Sequence, residues 1–234
     1  MTAVILQARL DSSRLPQKAL LPLGGRPLVF RVMEALAGLP ADMRILACPE
    51  DCLAAFGPLA DEAGFVLAAG PKEDVLERYC AAIRRFSVDR VIRATGDNPF
   101  VFIDAARRIG GEAAELDADY AAYAGLPYGA GVEVCAAEAL LRAGREARES
   151  AAREHVCPYL YGHPERFTLH RPLAPAFWRG PSMRVTVDTG EDLARAASLY
   201  AALDNAAPGG RHHGAAIIAA YHAAVSGADR GGAA

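Results

Sequence analysis

A basic stretch near the start of the chain combines residue types that bind phosphate. Arg9, Arg14 and Lys18 supply three cations, and Ser12 and Ser13 add two hydroxyls. Arginine offers a planar fork of donors and lysine a mobile point charge, and both bind phosphate oxygens. A loop whose charges only face water is the alternative, because arginine and lysine are usually exposed. The composition favours an anion site and leaves that alternative open.

The residues before this stretch predict where it lies. Residues 3–6 form an apolar run with the length and residue types of a strand buried on both faces. In open α/β sheets, ligands bind beyond the carboxyl ends of such strands, and the backbone N–H groups of the following loop face the anion. We therefore expect the loop at residues 7–18 to line a ligand crevice.

Two aspartates follow other predicted strands, and the first of them is a candidate metal ligand. Asp97 comes after residues 90–95, in a tight turn between Gly96 and Pro99. It is the leading metal ligand, although an Asp-Asn-Pro sequence is more often only a turn. Asp188 comes after residues 183–187, and either Asp188 or Thr189 would also serve as the N-cap of the next helix. For both aspartates a structural role remains open.

The elements that position these residues alternate along the chain. Strands are predicted at residues 3–6, 44–48, 65–68, 90–95, 119–123, 132–134, 167–170 and 183–187. Helices are predicted at residues 28–37, 73–86, 103–116, 136–147 and 188–203, with another that begins within residues 51–56. Strands that alternate with helices predict an α/β fold with a mostly parallel central sheet flanked by helices.

The length and the end of the chain predict its organisation. The chain has 234 residues, which suits one domain spanning residues 1–234. Residues 204–214 are polar and glycine-rich and are predicted to be a connection, followed by a terminal helix at residues 215–226. The alanine- and glycine-rich residues 227–234 are predicted to be a mobile tail.

Composition excludes several classes of function. With 25 Lys and Arg against 28 Asp and Glu, the net charge is −3, so no global field attracts nucleic acid. No apolar run approaches the roughly 20 residues that cross a bilayer, and the first residues lack the pattern of a signal peptide. The five cysteines are odd in number and scattered, which argues against a disulfide framework. We expect a cytoplasmic protein without a nucleic-acid or membrane partner.

The order of the motifs carries a family resemblance. The pattern Gln-x-Arg-x-x-Ser-x-Arg-Leu-Pro-x-Lys, followed by Leu-Gly-Gly-Arg-Pro-Leu, resembles the N-terminal signature of the cytidylyltransferases that make CMP-activated sugars. Later elements are similar to those of the spore-coat polysaccharide branch: Asp-Val-Leu-x-Arg-Tyr at 74–79, Thr-Gly-Asp-x-Pro at 95–99, Val-Glu-Val at 132–134, Arg-Glu-His-Val-x-Pro-Tyr at 153–159 and Thr-Val-Asp-x-x-Glu-Asp-Leu at 186–193.

This resemblance implies a fold, a reaction and partners. The implied fold is the Rossmann-like nucleotide-diphospho-sugar transferase fold. The implied enzyme is a Mg²⁺-dependent nucleotidyltransferase, a homodimer that couples CTP to an anionic acceptor and releases pyrophosphate. The acceptor would be a sugar acid destined for a surface polysaccharide.

The resemblance also assigns residues to roles. The implied nucleotide-binding residues are Gln7, Ala8, Arg9, Ser12, Ser13, Arg14, Lys18, Thr95 and Gly96. The implied metal ligands are Asp97 and Asp188, and with Arg9 and Lys18 they form the implied catalytic set. The implied acceptor-binding residues are Glu133, Arg153 and His155.

Three departures from the family pattern and two other functions remain to be weighed. Gln17 stands where the family more often has glycine, Gly131 where it has aspartate and Gly190 where it has proline. One alternative is a glycosyltransferase that uses a nucleotide-sugar donor, although such enzymes often present Asp-x-Asp where this chain has Asp-Asn-Pro. The other alternative is a non-catalytic nucleotide-binding subunit.

Overall fold

The main sheet is built around the first strand of the chain. The computed structural model describes residues 1–206 and 212–231. Its strands are β1 (Thr2–Gln7), β2 (Pro22–Leu23), β3 (Arg26–Pro27), β4 (Met43–Pro49), β5 (Val66–Gly70), β6 (Arg90–Thr95), β7 (Tyr120–Ala121), β8 (Glu133–Ala136) and β9 (Leu169–His170). The main sheet has the order β5-β4-β1-β6-β8-β7-β9, and β2 pairs with β3 separately.

Most strand pairs of the main sheet are parallel, as the sequence predicts. Strand β1 pairs in parallel with both β4 and β6, and β4 pairs in parallel with β5. Strand β8 runs antiparallel to β6 and β7, and β9 runs parallel to β7. After β1 the chain passes to β4 and β5 on one side and then returns to β6 on the other. This reversal creates a crevice at the carboxyl ends of β1 and β6, where open α/β sheets bind ligands.

Helices cover both faces of the sheet. They are α1 (Leu28–Leu36), α2 (Leu53–Ala63), α3 (Val75–Phe86), α4 (Ile103–Glu115), α5 (Ala137–Glu146), α6 (Ser150–His155), α7 (Pro158–Tyr161), α8 (Gly190–Ala206) and α9 (Gly214–Gly231). Short 3₁₀ turns occur at Lys18–Leu20, Glu50–Cys52 and Ala176–Trp178. Strands joined through helices account for the parallel pairing.

The alternating side chains of β1 divide the core into two layers. Ala3 and Ile5 are fully buried and face α3 and α5. Val4 and Leu6 are equally buried and face α1, α2 and α4. Full burial of a Leu or Ile side chain contributes about 1.5–3 kcal/mol, so this strand anchors the loop that follows it. A third apolar cluster lies beyond the sheet, where α8 and α9 pack around Trp178.

Residues 183–187 are not a strand of the sheet, contrary to the prediction. The segment makes a single bridge, between Arg184 and Tyr128, and otherwise pairs with loops. The backbone N–H of Val185 donates to Tyr128 O at 2.9 Å, and that of Val187 donates to Asp97 O at 2.9 Å. Met183, Val185 and Val187 are buried, but the backbone partners of the segment are turns rather than a strand.

The last two helices also differ from the predicted boundaries. Helix α8 continues to Ala206, so residues 204–206 are helical rather than part of the connection. Residues 207–211 lie outside the described part of the chain. Helix α9 runs from Gly214 to Gly231 and includes residues 227–231, which were assigned to the tail. Residues 232–234 also lie outside it.

Within the described ranges, the search for a helix that is both long and apolar enough to cross a bilayer finds none.

Candidate functional site

A cavity of about 640 Å³ opens at the carboxyl ends of β1 and β6. It collects residues that lie far apart in the sequence, on the loop after β1, the turn after β6, the start of β8, the end of α6 and the segment before α8. The predicted site residues that line it are Gln7, Ala8, Arg9, Ser12, Ser13, Arg14, Lys18, Thr95, Gly96, Asp97, Glu133, His155 and Asp188. Arg153 does not line the cavity.

The two candidate metal ligands meet at one ammonium group. Lys18 Nζ donates to Asp97 Oδ2 at 2.9 Å and to Asp188 Oδ1 at 2.8 Å. Its third hydrogen bond, at 3.0 Å, goes to Val187 O. Arg14 Nη2 lies 3.1 Å from the same Asp188 oxygen. Asp97 and Asp188, which are 91 positions apart in the sequence, therefore converge on one cation.

The turn after β6 holds Asp97 in place. Thr95 Oγ1 donates to Asp97 Oδ1 at 2.7 Å, and Asn98 Nδ2 donates to Thr95 Oγ1 at 2.7 Å. Gly96 N donates to Gln7 O at 2.8 Å, which fixes the turn against the end of β1. A Cβ on Gly96 would lie 2.9 Å from the Ala8 Cβ, so glycine permits this close approach.

Thr189 caps helix α8 and leaves the Asp188 side chain to the cavity. Asp192 N donates to Thr189 Oγ1 at 3.2 Å, and Thr189 N donates back to Asp192 Oδ2 at 3.1 Å. These reciprocal bonds form a capping box with aspartate at its third position. Of the two N-cap candidates in the sequence, Thr189 takes the role. The Asp188 carboxylate is therefore available to bind cations.

Arg184 links the two carboxylates at the start of α8. Its Nη2 donates to Asp188 Oδ2 at 2.5 Å, and its Nε donates to Asp192 Oδ1 at 3.2 Å. Burial opposes ionisation of Asp192, but hydrogen bonds from Arg184 and from the backbone N–H of Asp188 outweigh it and lower its pKa to about 2. Burial likewise opposes ionisation of Asp188, and Lys18 and Arg184 lower its pKa. Asp188 and Asp192 therefore both carry a charge at neutral pH.

The pair formed by Asp97 and Asp188 suits a small divalent cation. The structure already holds one positive charge within 3 Å of both carboxylates, namely the Lys18 ammonium. Carboxylate oxygens are the ligands that Mg²⁺ prefers, and it commonly uses only one or two of them beside water and phosphate. Across the described ranges no group of three or more His, Cys, Asp or Glu is arranged as a metal cage. Two carboxylates fit Mg²⁺ with a phosphate better than a closed protein site.

The other end of the cavity holds Glu133 in a fixed ion pair. Arg93 lies directly opposite Glu133 in the pairing of β6 with β8, and its Nη1 donates to Glu133 Oε2. Tyr120 Oη donates to Glu133 Oε1 at 2.7 Å. Arg93 Nη2 also reaches Gln7 Oε1, at 3.3 Å. Burial disfavours the charged guanidinium, but the Glu133 charge outweighs it and raises the pKa of Arg93.

Arg153 and His155 share α6 but have different surroundings. Arg153 Nε donates to Asp74 Oδ2 at 2.9 Å, and its Nη1 donates to Gly144 O at 2.7 Å. Asp74 is the N-cap of α3, where it accepts a hydrogen bond from Glu77 N. Arg153 therefore ties α6 to α3, and its predicted place in the acceptor site is not supported by these contacts. His155 is exposed at the end of α6 and lines the cavity.

Several cavity residues were not among the predicted ones. Arg78 is only 1% exposed, and its guanidinium donates to Pro71 O and Lys72 O. A charged residue inside the apolar stripe of α3 was the available signal. Arg93 gives the same signal within a buried strand. Asn98 and Tyr128 also line the cavity, and nothing in the sequence distinguishes them from ordinary turn residues.

A basic loop that faces paired carboxylates at the switch point of an open α/β sheet is typical of a nucleotide-binding transferase. Comparison with known proteins agrees with that class. The sequence model of a family described as cytidylyltransferase matches residues 3–207. The spore coat polysaccharide biosynthesis protein SpsF of Bacillus subtilis (strain 168) is 34% identical over 206 residues, covering 84% of this chain and 85% of that protein. The chain therefore belongs to the cytidylyltransferase family and is a nucleotidyltransferase.

Solved structures support the same fold. A cytidylyltransferase from Leptospira borgpetersenii superposes with a TM-score of 0.85 at 20% identity, covering 97% of this chain and 95% of that one. A CMP:2-keto-3-deoxy-manno-octonic acid synthetase complexed with CTP superposes with a TM-score of 0.68 at 15% identity, covering 86% of this chain and 98% of that one. These similarities confirm the predicted Rossmann-like nucleotidyltransferase fold.

Proposed function

We propose that this cytidylyltransferase transfers CMP from CTP to an anionic acceptor and releases pyrophosphate in a Mg²⁺-dependent reaction. The observation that carries the proposal is the convergence of Asp97 and Asp188 on one cation position beside Lys18 and Arg14. In nucleotidyl transfer, an anionic nucleophile must approach an anionic phosphate. Positive charge placed beforehand at that point is therefore the main contribution that an enzyme can make.

Acidic and basic residues of the cavity would have different roles in this transfer. Asp97 and Asp188 would hold Mg²⁺, which supplies charge neutralisation at the α-phosphate when it is bound. Arg9, Arg14 and Lys18 would bind the departing pyrophosphate, and Ser12 and Ser13 would add hydrogen bonds from the same loop. Thr95 and Gly96 would keep Asp97 aligned with the end of β1. No side chain needs to form a covalent intermediate.

The acceptor would bind at the Glu133 end of the cavity. Because Arg93 and Tyr120 engage both carboxylate oxygens of Glu133, this residue does not present an uncompensated negative charge to an anion. His155 is exposed at the rim and offers a hydrogen bond to an acceptor carboxylate or hydroxyl. The name of the Bacillus subtilis relative, a spore coat polysaccharide biosynthesis protein, favours an acceptor used in a surface polysaccharide. That this acceptor is a sugar acid is what the family resemblance implies.

At Gly131 the acceptor site departs from the pattern that the resemblance implies. It lines the cavity where the family more often has aspartate. A Cβ at this position would lie 3.3 Å from Leu126 Cδ1, the end of a flexible side chain, so the space can accommodate one. Without a side chain at residue 131, the cavity has room for a bulkier substituent on the acceptor. We therefore expect the acceptor to differ in shape from those of family members with aspartate there.

A thermal-shift comparison tests the nucleotide first. CTP, UTP, ATP, GTP and nucleotide-sugars are each added with and without Mg²⁺, and apparent stability rises only for ligands that bind the native state. CTP with Mg²⁺ at a hundred times its Kd would add about 2.7 kcal/mol, or roughly 5–10 °C for a chain of this size. Pyrophosphate release is then screened with sugar acids, neutral sugars and sugar phosphates as acceptors.

The same comparison separates the competing functions. A CTP-selective, Mg²⁺-dependent shift followed by pyrophosphate release supports the proposal. A stronger shift with a UDP- or GDP-sugar, without pyrophosphate release, would favour a glycosyltransferase. A CTP shift without turnover on any acceptor would favour a nucleotide-binding subunit. A homodimer is part of the proposal, and sedimentation at several concentrations tests it.

A further inference from the structure

Lys18 uses every hydrogen-bonding group of its ammonium on the protein itself. Its three donors go to Asp97 Oδ2, Asp188 Oδ1 and Val187 O at 2.9, 2.8 and 3.0 Å. An ammonium has three donors, so none remains for a phosphate. The side chain is 16% exposed, and Asp188 is 12% exposed. With these contacts Lys18 acts as the counter-ion of the two carboxylates.

A divalent cation needs the same two carboxylates. The ammonium lies within 3 Å of both, which is the position that a shared metal ion would also require. If the ammonium stayed beside a metal ion on the same two carboxylates, the two positive charges would repel each other strongly in this partly buried site. Metal binding at this pair therefore requires Lys18 to leave it.

The structure permits Lys18 to leave without disturbing the backbone. Its backbone N–H donates to Leu15 O at 3.1 Å, and Leu21 N donates to Lys18 O at 3.1 Å, so the backbone at this position is fixed. The four-carbon stem of lysine is flexible and can redirect the ammonium. Once displaced, the ammonium has lost three acceptors and must find others. The phosphates of a nucleotide bound by the same loop are suitable acceptors.

We propose that Lys18 is an exchangeable counter-ion that makes metal binding and nucleotide binding depend on each other. Without nucleotide, Lys18 occupies the metal position and keeps metal affinity low. With CTP, the ammonium moves to the phosphates and vacates the carboxylates. Because binding couplings are reciprocal, metal in turn favours CTP. This inference rests on the metal-dependent reaction proposed above and adds the order in which its components assemble.

The test measures Mn²⁺ binding, with Mn²⁺ replacing Mg²⁺ because free Mn²⁺ is quantified directly by electron paramagnetic resonance. Wild type, Lys18→Met and Lys18→Gln are titrated without nucleotide. Each Lys18 variant is expected to bind Mn²⁺ about tenfold or more tightly than wild type, within the usual range of binding couplings. A lysine that only bound phosphate, or only supported the fold, would not increase nucleotide-free metal affinity. Circular dichroism verifies that each variant is folded.

Arg14→Met is the matched control. Arg14 also lies near Asp188, at 3.1 Å, but it is 64% exposed and makes no ion pair with Asp97 in the described structure. Solvent screens such an exposed charge, so its removal is expected to change Mn²⁺ affinity by less than about threefold. An equal gain in Arg14→Met would show a general charge effect and overturn the inference.

A second titration in the presence of CTP separates this inference from the proposed function. If wild type binds Mn²⁺ with CTP but the Lys18 variants gain no affinity without it, only the counter-ion exchange is wrong. If no form binds Mn²⁺ under either condition, the metal-dependent reaction is wrong as well. Tighter nucleotide-free binding in both Lys18 variants, with a smaller additional gain from CTP, supports the exchange.

Discussion

The two ends of the cavity neutralise their carboxylates in different ways. Asp97 and Asp188 take Lys18 and Arg14 from the loop after β1, and the Arg14 side chain is 64% exposed. Glu133 takes Arg93 from the adjacent strand, where the two residues are register partners, and the Arg93 side chain is 12% exposed. Arg184 also pairs with Asp188, but the cation that Asp97 and Asp188 share comes from the loop, whereas the partner of Glu133 comes from the sheet.

This difference means that the cations at the loop end can change partners, whereas the ion pair at the strand end is fixed. A loop cation can move to a substrate phosphate while the backbone stays in place. Arg93 cannot leave Glu133 without leaving a largely buried charge unpaired, which is costly. We therefore expect substitutions at the loop end to affect binding and turnover, and substitutions at the strand end to affect stability.

The largest expected effect is on turnover at the loop end. Asp97→Asn keeps the size of the side chain and its contact with Thr95 but removes one of the two charges that would hold Mg²⁺. We expect pyrophosphate release to fall by about a thousandfold or more, because this charge acts where the transferred phosphate would lie. Thermal unfolding should shift by only a few degrees.

Asp61→Asn is the matched control for this substitution. Asp61 is an exposed aspartate on α2 and does not line the cavity. Its replacement should leave pyrophosphate release unchanged. Normal Mg²⁺-dependent turnover in Asp97→Asn would remove Asp97 from the metal site.

The next effect is on stability at the strand end. Among the described residues, Arg93→Met leaves Tyr120 as the remaining partner of Glu133, and we expect a loss of about 3 kcal/mol in the free energy of unfolding. Adding Glu133→Gln removes the unpaired charge and should restore part of that loss. Urea unfolding of both single variants and the double variant measures the coupling. If the losses of the two single variants simply add in the double variant, Arg93 and Glu133 are not coupled and do not form a fixed pair.

A smaller effect is expected from Asp192, which positions Arg184 against Asp188. Its pKa is about 2 in the folded protein and about 3.9 in an unfolded chain, so the ionised group stabilises the fold above pH 4. That contribution is lost as the pH falls through 2. Asp192→Asn should therefore lose about 2 kcal/mol at pH 7, and its difference from wild type should shrink below pH 4. Unfolding measured across pH 2–7 tests the sign, and a gap that persists at pH 2 would contradict it.

The smallest effect concerns the backbone before Lys18. Gln17 has φ = 52° and ψ = 28°, a left-handed conformation in which glycine has no steric penalty. Relief of that penalty in Gln17→Gly offsets the greater freedom of glycine in the unfolded chain, so we expect a net change below about 1 kcal/mol. Gln17→Val should lose more, because a β-branched residue is strained there. Chemical denaturation compares the two, and equal stabilities would mean that this turn relaxes.

Much of the cavity could be predicted because the residues follow strands whose ends meet. The loop at residues 7–18 and Asp97 each follow an apolar run, and parallel pairing of β1 with β6 brings them together. The left-handed backbone at Gln17 accounts for the glycine that the family more often has there; nothing in the structure explains the glutamine in this chain. The prediction of a strand at residues 183–187 is wrong, because residue types indicate which side chains are buried and do not identify the backbone partner.

The partners of charged side chains could not be predicted from the sequence. Arg153 lies in the same motif as His155, yet its guanidinium donates hydrogen bonds to Asp74 and Gly144 and does not line the cavity. Arg78 and Arg93 interrupt apolar patterns, which indicates a buried charge but not its partner. Such contacts join residues that are 6–86 positions apart, as for Arg78 with Lys72 and Arg93 with Gln7.

The sequence by itself determined the family, the alternation of the main strands and helices, and the residue types around the cavity, because burial periodicity and motif spacing are local properties. The tertiary structure decided which carboxylates share a cation, which arginine supports the fold and whether Asp188 or Thr189 caps α8. Those outcomes depend on distances across the sheet switch point. A separation of 3 Å between charges is set by how the strands pack, and no local pattern encodes it.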